Sequence, residues 1–212
     1  MQTANTTPGV SSYYSVKRIS NSDLDLARHL VMGTPHYKPR AALRFGQALH
    51  EAVLEAHKFD LSTYPDVDAA LLQKCIHSLH QHPCCARLLE GKREHEVYWT
   101  EFYTKIACKS KLDVLGTDTV IDLKTTNART QAEFEGNALR FEYDRQLAFY
   151  ADSVAARKMV LIGISKKVPK VFVLETTARS SFAEWGRAKY RFILMKIGQL
   201  NLFDQIWNLR EA

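Results

Sequence analysis

KLDVLGTDTVIDLKTT, residues 111–126, is the stretch on which the reading of this chain turns. Apolar and β-branched residues alternate with polar ones on both sides of Gly116-Thr117-Asp118, which predicts two strands joined by a tight hairpin turn. Asp122 and Lys124 are two apart on the returning strand 119–124 and so point to one face. Asp113, nine positions before Asp122, falls across the hairpin from them. Upstream, HEVYWTEFY at 95–103 and KIACKSKLDVL at 105–115 have the same texture, giving three consecutive strands.

Helical periodicity prevails on either side of these strands. Ser20-Asn21-Ser22-Asp23 reads as a helix cap, and the helix runs to Gly33. A loop with Pro35 and Pro39 comes next, and residues 41–56 repeat Phe45, Leu49 and Val53 on one face. Further helices are expected at 67–80 and, shorter, from Pro83 to Leu89. After the hairpin come helices near 128–136 and 143–157, a continuous apolar run MVLIGIS at 159–165 typical of a buried strand, a strand at 171–175 and a helix at 180–197. The order predicts an α/β (α+β) fold, a mixed central sheet flanked by helices. No linker divides it, so residues 13–212 are expected to form one domain behind a flexible arm at 1–12.

Two carboxylates and an ammonium at one patch repel or attract too strongly to be left uncompensated, and clustered carboxylates call for a cation. Hard oxygen ligands suit Mg²⁺ or Mn²⁺. Such a site can hydrolyse phosphodiesters, with metal neutralising the phosphate and activating water, and a lysine orienting that water. An Asp-x-Lys on a strand is by itself more often a solvent-facing charge pair, so its companions matter. Gly46 and His50 share a helix face, and a neutral imidazole can ligate metal. Gln146 and Tyr150 share another, offering an amide and a phenol for hydrogen bonds to phosphate or to Lys124. Glu96 on the first strand points toward the same end, and Arg44, near His50, is a candidate phosphate contact.

Charge adds a second line of evidence. The 212-residue chain carries +6 overall, yet residues 157–212 hold eleven Lys/Arg against four acids. A basic C-terminal third suggests a polyanionic partner, most commonly nucleic acid. The four cysteines, Cys75, Cys84, Cys85 and Cys108, form no CxxC pair and are expected to be reduced thiols. No apolar run of about 20 residues predicts a membrane span. The start MQTANTTPGVSSYYSVKR lacks a secretory layout, so the expected location is cytoplasmic.

Taken in order, these residues resemble the PD-(D/E)XK nuclease superfamily, particularly its RecB-like and RecE-type phage or prophage exonucleases. That pattern of Gly-x-x-x-His, strand Glu, hairpin Asp, Asp-x-Lys and Gln-x-x-x-Tyr falls on Gly46 and His50, Glu96, Asp113, Asp122 and Lys124, and Gln146 and Tyr150. The similarity spans roughly residues 14–176, and YYSVKRISNSDL resembles the opening of the RecE type. The resemblance implies that His50, Asp113, Asp122 and the Leu123 carbonyl bind Mg²⁺, with Mn²⁺ substituting and Glu96 helping a second ion. It implies that Lys124 positions water and that Gln146 and Tyr150 support Lys124 or the DNA backbone. It further implies exonuclease action on one strand of linear duplex DNA, 5′-to-3′, leaving 3′ overhangs for a single-strand annealing protein in recombination. A homo-oligomeric ring, trimer or tetramer, around double-stranded DNA ends is implied too. All four cysteines precede Lys124, which excludes the iron–sulfur pattern of the CRISPR-adaptation relatives. Two alternatives use the same residues: an endonuclease or structure-specific nuclease, and a module that holds DNA ends without cutting.

Overall fold

The structure, a computed structural model, describes residues 12–33, 40–168 and 170–211. The expected arm, apart from Ser12, and the loop with Pro35 and Pro39 lie outside the described residues. Five strands, β1 (Lys92–Thr100), β2 (Ala107–Leu115), β3 (Thr119–Thr126), β4 (Lys158–Ser165) and β5 (Val171–Thr177), form one sheet in the order β1-β2-β3-β4-β5. All neighbours are antiparallel except β3 and β4, which run parallel, as the long helical connection between them requires. The sheet is therefore mixed and flanked by helices, the α+β arrangement expected.

Nine helices are described: α1 (Ser12–Ser15), α2 (Asn21–Met32), α3 (Arg40–Leu54), α4 (Ala69–Gln81), α5 (Cys85–Leu88), α6 (Gln131–Arg140), α7 (Tyr143–Val154), α8 (Ser181–Gln199) and α9 (Phe203–Glu211). Local chemistry sets their ends. Ser20 caps α2 in a reciprocal box with Asp23, and Gly33 closes it at φ 63°. Asp68, Thr130 and Ser180 cap α4, α6 and α8, each side chain accepting the backbone N–H three residues on. Strand β1 stops at Thr100, short of the expected 103. The Glu101 carboxylate accepts the N–H groups of Tyr103 and Thr104, at 3.1 and 2.7 Å, and these are then lost to any ladder.

Alternation along the strands builds a core on each face. Ile121, Leu123, Val160, Ile162 and Ile164 pack with Ala48, Leu49 and Leu72 from α3 and α4. Val120, Met159, Leu161 and Phe172 pack with Phe134, Leu147 and Ala151 from α6 and α7. A third cluster joins Leu24 of α2, Phe149 of α7, Tyr190 and Leu194 of α8 and Ile206 of α9. The C-terminal helix α9 thus packs on the body through Ile206.

One irregularity breaks this alternation. Leu112 and Val114 are two apart, yet they belong to opposite cores. The β1–β2 register passes from Arg93↔Val114 to His95↔Leu112 without a pair at Glu94 and Asp113, and Glu94 has φ 50°. On the other side the β2–β3 ladder holds only Val114↔Ile121 and Leu115↔Val120. Beyond that point β3 leaves β2, and Ile19 takes its place beside Cys108. The sheet opens where Asp113 sits.

Candidate active site

Into that opening come side chains from both faces. From α3, His50 places Nε2 at 2.7 Å from the Leu123 carbonyl oxygen and Nδ1 at 3.5 Å from Asp113 Oδ2. A carbonyl only accepts, so Nε2 carries the proton in that contact, and in the neutral ring Nδ1 is a bare lone pair facing a carboxylate. In that form the two acceptors can be bridged by a cation, whereas a ring carrying both protons would donate to Asp113 directly. Glu94 completes the group: one ligand atom each from His50, Glu94 and Asp113 lies within 4.8 Å of the others. This donor set of one imidazole and two carboxylates fits a divalent cation.

Asp122 and Lys124 lie on the α7 face of β3. Lys124 Nζ is 2.5 Å from Asp122 Oδ2, and the ammonium stands 5.3 Å from the centre of the Tyr143 ring. The Asp122 side chain is only 1% exposed, and neither oxygen accepts a well-directed hydrogen bond. Burial pushes its carboxyl up to about 6; Lys124 opposes this and the Asp113 charge adds to it. For Lys124, burial works to lower the pKa, and the charges of Asp122 and Asp113 more than reverse it. Glu94 is raised by burial against the pull of Lys111, with which it forms an ion pair. Both carboxyls, Asp122 buried and Glu94 half-buried, are thus destabilised as anions by desolvation.

The other expected residues divide between the site and its surroundings. Gln146 Nε2 donates to Tyr150 Oη at 3.0 Å, so the two support each other on α7. Burial raises the Tyr150 phenol well above its usual range, and the Asp122 and Asp113 charges add to that, which places it within electrostatic reach of the site. Glu96 is not part of the ligand group; it faces Lys111 across the ladder and accepts from Tyr98 Oη at 3.1 Å. Its neighbour Glu94 stands in the group instead. Arg44 is engaged by the 3₁₀ segment Leu61–Thr63 and the residues just after it: it donates to the Thr63 carbonyl, lies 3.4 Å from Asp66 and stacks over Tyr64. The Leu123 carbonyl accepts from His50. Gly46 is not demanded by crowding, since a Cβ there would meet Thr125 Oγ1 at an ordinary 3.9 Å. Glu94 and Tyr143 were missed by sequence reasoning. For Glu94 the signal was present in REHE at 93–96, where two glutamates compete for one role.

A mixed sheet that opens on an Asp-x-Lys strand, with carboxylates and an imidazole converging there, defines a PD-(D/E)XK-type nuclease core. Residues 10–200 match the family described as a PDDEXK-like domain of unknown function (DUF3799), and the chain belongs to that family. Among solved structures it resembles a protein assigned as an exonuclease from Eubacterium rectale, with a TM-score of 0.68 at 11% identity over 96% of this chain and 88% of that one. A phage-related exonuclease from Haemophilus somnus 129PT is similar with a TM-score of 0.51 at 11% identity, over 95% and 85% of the two chains. At these identities the likeness is one of fold. No curated protein matches the chain in sequence. No helix among the described residues is long and apolar enough to cross a membrane.

Proposed function

We propose that this chain is a Mg²⁺-dependent exodeoxyribonuclease that hydrolyses one strand of linear double-stranded DNA from 5′ to 3′, leaving 3′ overhangs for recombination in the cytoplasm. The observation that carries the reading is the convergence of His50, Glu94 and Asp113 ligand atoms within 4.8 Å, beside a buried Asp122–Lys124 pair. The exonuclease part is supported by what the two similar structures are described as and by the motif order.

His50, Glu94 and Asp113 would hold the cation, with Asp122 a further oxygen donor on the other side of the opening. A bound Mg²⁺ there would supply charge for the scissile phosphate and a lowered pKa for water. The protein's own contribution is positional. Asp122 fixes the Lys124 ammonium, and Tyr143 holds it from the ring face, so a proton donor stands where negative charge develops. Gln146 and Tyr150, hydrogen-bonded to each other on α7, would bring an amide and a phenol to the same side as Asp122 and Lys124. The basic C-terminal third would face DNA, a homo-oligomeric ring would favour processive digestion, and a single-strand annealing protein would take up the product.

The test is cleavage of end-labelled linear duplex and covalently closed circles in Mg²⁺, with EDTA as control. Shortening of linear DNA from its 5′ ends, with circles spared, is the expected result. Cutting of closed circles would instead make the protein an endonuclease, and end binding without cutting a binding module.

A further inference from the structure

The turn between β1 and β2 shows the two most exposed large hydrophobic side chains among the described residues, Phe102 at 71% and Tyr103 at 67%. Nothing about the turn is loose. Glu101, itself 1% exposed, accepts from the N–H groups of Tyr103 and Thr104 and from Thr104 Oγ1, and its other oxygen takes Arg191 Nε of α8 at 3.1 Å. A buried carboxylate with four donors is a costly way to hold two aromatic rings in water, unless the rings have something to meet.

The chemistry around the rings says what that is. Lys105 Nζ lies 4.4 Å from the Phe102 centroid, the Arg191 guanidinium 4.4 Å from that of Tyr103, and Lys196 Nζ 5.6 Å from that of the exposed Phe192. Lys105 and Lys196 form no ion pair among the described residues. Between turn and helix runs an open groove of about 620 Å³, lined by Tyr103, Ile106, Arg191, Phe192 and Met195 among others, with no carboxylate in its lining. Arg191, the cation in the lining, is held by Glu101 and Asp152, whereas Lys105 and Lys196 stand against exposed rings beside the groove. Such ammonium groups set against exposed ring faces are the recognition chemistry of single-stranded nucleic acid: backbone phosphates meet the cations and bases stack on the rings. An apolar protein partner would be matched by the rings, but it would leave Lys105 and Lys196 without a counter-charge.

We infer that the β1–β2 turn and the C-terminal half of α8 form a stacking platform for single-stranded DNA, separate from the cleavage site. Ala107 and Asp113 are six residues apart along β2, so the platform lies about 20 Å from the opening at Asp113. A strand freed by digestion could rest there, and to that extent the role, though not the binding, depends on the proposed exonuclease activity.

The experiment measures binding of fluorescein-labelled dT20 by anisotropy in EDTA, where no cleavage occurs. The proteins are the full chain and the variants Phe102→Ala/Tyr103→Ala and Lys105→Ala/Lys196→Ala. Each double variant should bind dT20 at least tenfold more weakly, with thermal unfolding unchanged. An abasic strand of equal length should bind the full chain less well than dT20 and be indifferent to the aromatic variant. Equal dT20 affinity in all three proteins overturns the platform. So does a loss that tracks dissociation of a dimer in sedimentation, which would make the surface a contact between copies. Nuclease assays on blunt duplex report separately on the proposed activity, so the two readings fail independently.

Discussion

The backbone N–H of Leu123 donates to Oδ2 of Asp113 at 2.7 Å, ten residues back along the chain. A continued ladder would have given that N–H to a β2 carbonyl; instead a side chain takes it, and the two strands are free to part. The opening that receives His50 is therefore made by the same residue that contributes a carboxylate to the candidate metal-binding group.

Removing either member of the Asp122–Lys124 pair should abolish cleavage. Asp122→Asn keeps shape and loses charge, and Lys124→Met keeps the stem over Tyr143 and loses the ammonium. Each should lower the rate on linear duplex by on the order of 10²–10³, measured in Mg²⁺ alongside far-UV circular dichroism to show retained structure. Full activity in either would remove the proposed mechanism.

Acid should switch the site off near pH 6. Burial holds the Asp122 carboxyl at about 6 rather than its usual 3.8. A carboxyl raised in the folded state keeps its proton to higher pH, so the ionised pair with Lys124 exists above about 6 and is lost below. A bound cation favours the anion, so at limiting Mg²⁺ cleavage at pH 5 is expected to be roughly tenfold below its plateau, and excess Mg²⁺ should offset the loss. For folding the sign is opposite: the native state binds this proton more tightly, so the group's contribution to metal-free stability is lost as pH rises from about 4 through 6. A rate flat from pH 5 to 8 at limiting Mg²⁺ would contradict the assignment.

Glu94 and Glu96 should separate cleanly. Glu94→Gln removes a member of the ligand group and should weaken Mn²⁺ binding on the order of tenfold or more by calorimetry. Glu96→Gln should change it less than twofold. The reverse ranking would return the role to Glu96.

Two glycines carry the packing beneath the site. A Cβ at Gly186 would meet the Asp144 carbonyl oxygen of α7, and one at Gly163 would run into the Phe134 ring. Gly186→Ala cannot be relieved by a side-chain rotation, and Gly163→Ala would press on a Phe134 ring that is fully buried against Phe172, so each should cost about 1–3 kcal/mol or more in urea unfolding.

Much of this was legible in the chain. Element types follow from period and caps: Ser20 with Asp23, the turn at 116–118, the apolar run of β4. The pairing of Asp122 with Lys124 follows from their spacing of two on a strand. Alternation fails, however, to describe Glu94, because its positive φ takes it out of the pleat, and a sequence pattern assumes the pleat is regular. It fails for Tyr143 as well, since nothing local links the start of a helix to a lysine nineteen residues earlier.

The α+β order of elements, the Asp-x-Lys strand and the candidate ligands at His50 and Asp113 could be read from residue order alone, because they depend on short-range periodicity and side-chain chemistry. It took the packed molecule to bring Glu94, and not Glu96, within ligand distance of His50 and Asp113, to part β3 from β2 at Asp113, and to hold Arg44 against Thr63 and Asp66. Those outcomes depend on how strands twist apart and which loop packs against which helix. They are set by the sum of many distant contacts, not by any one stretch of chain.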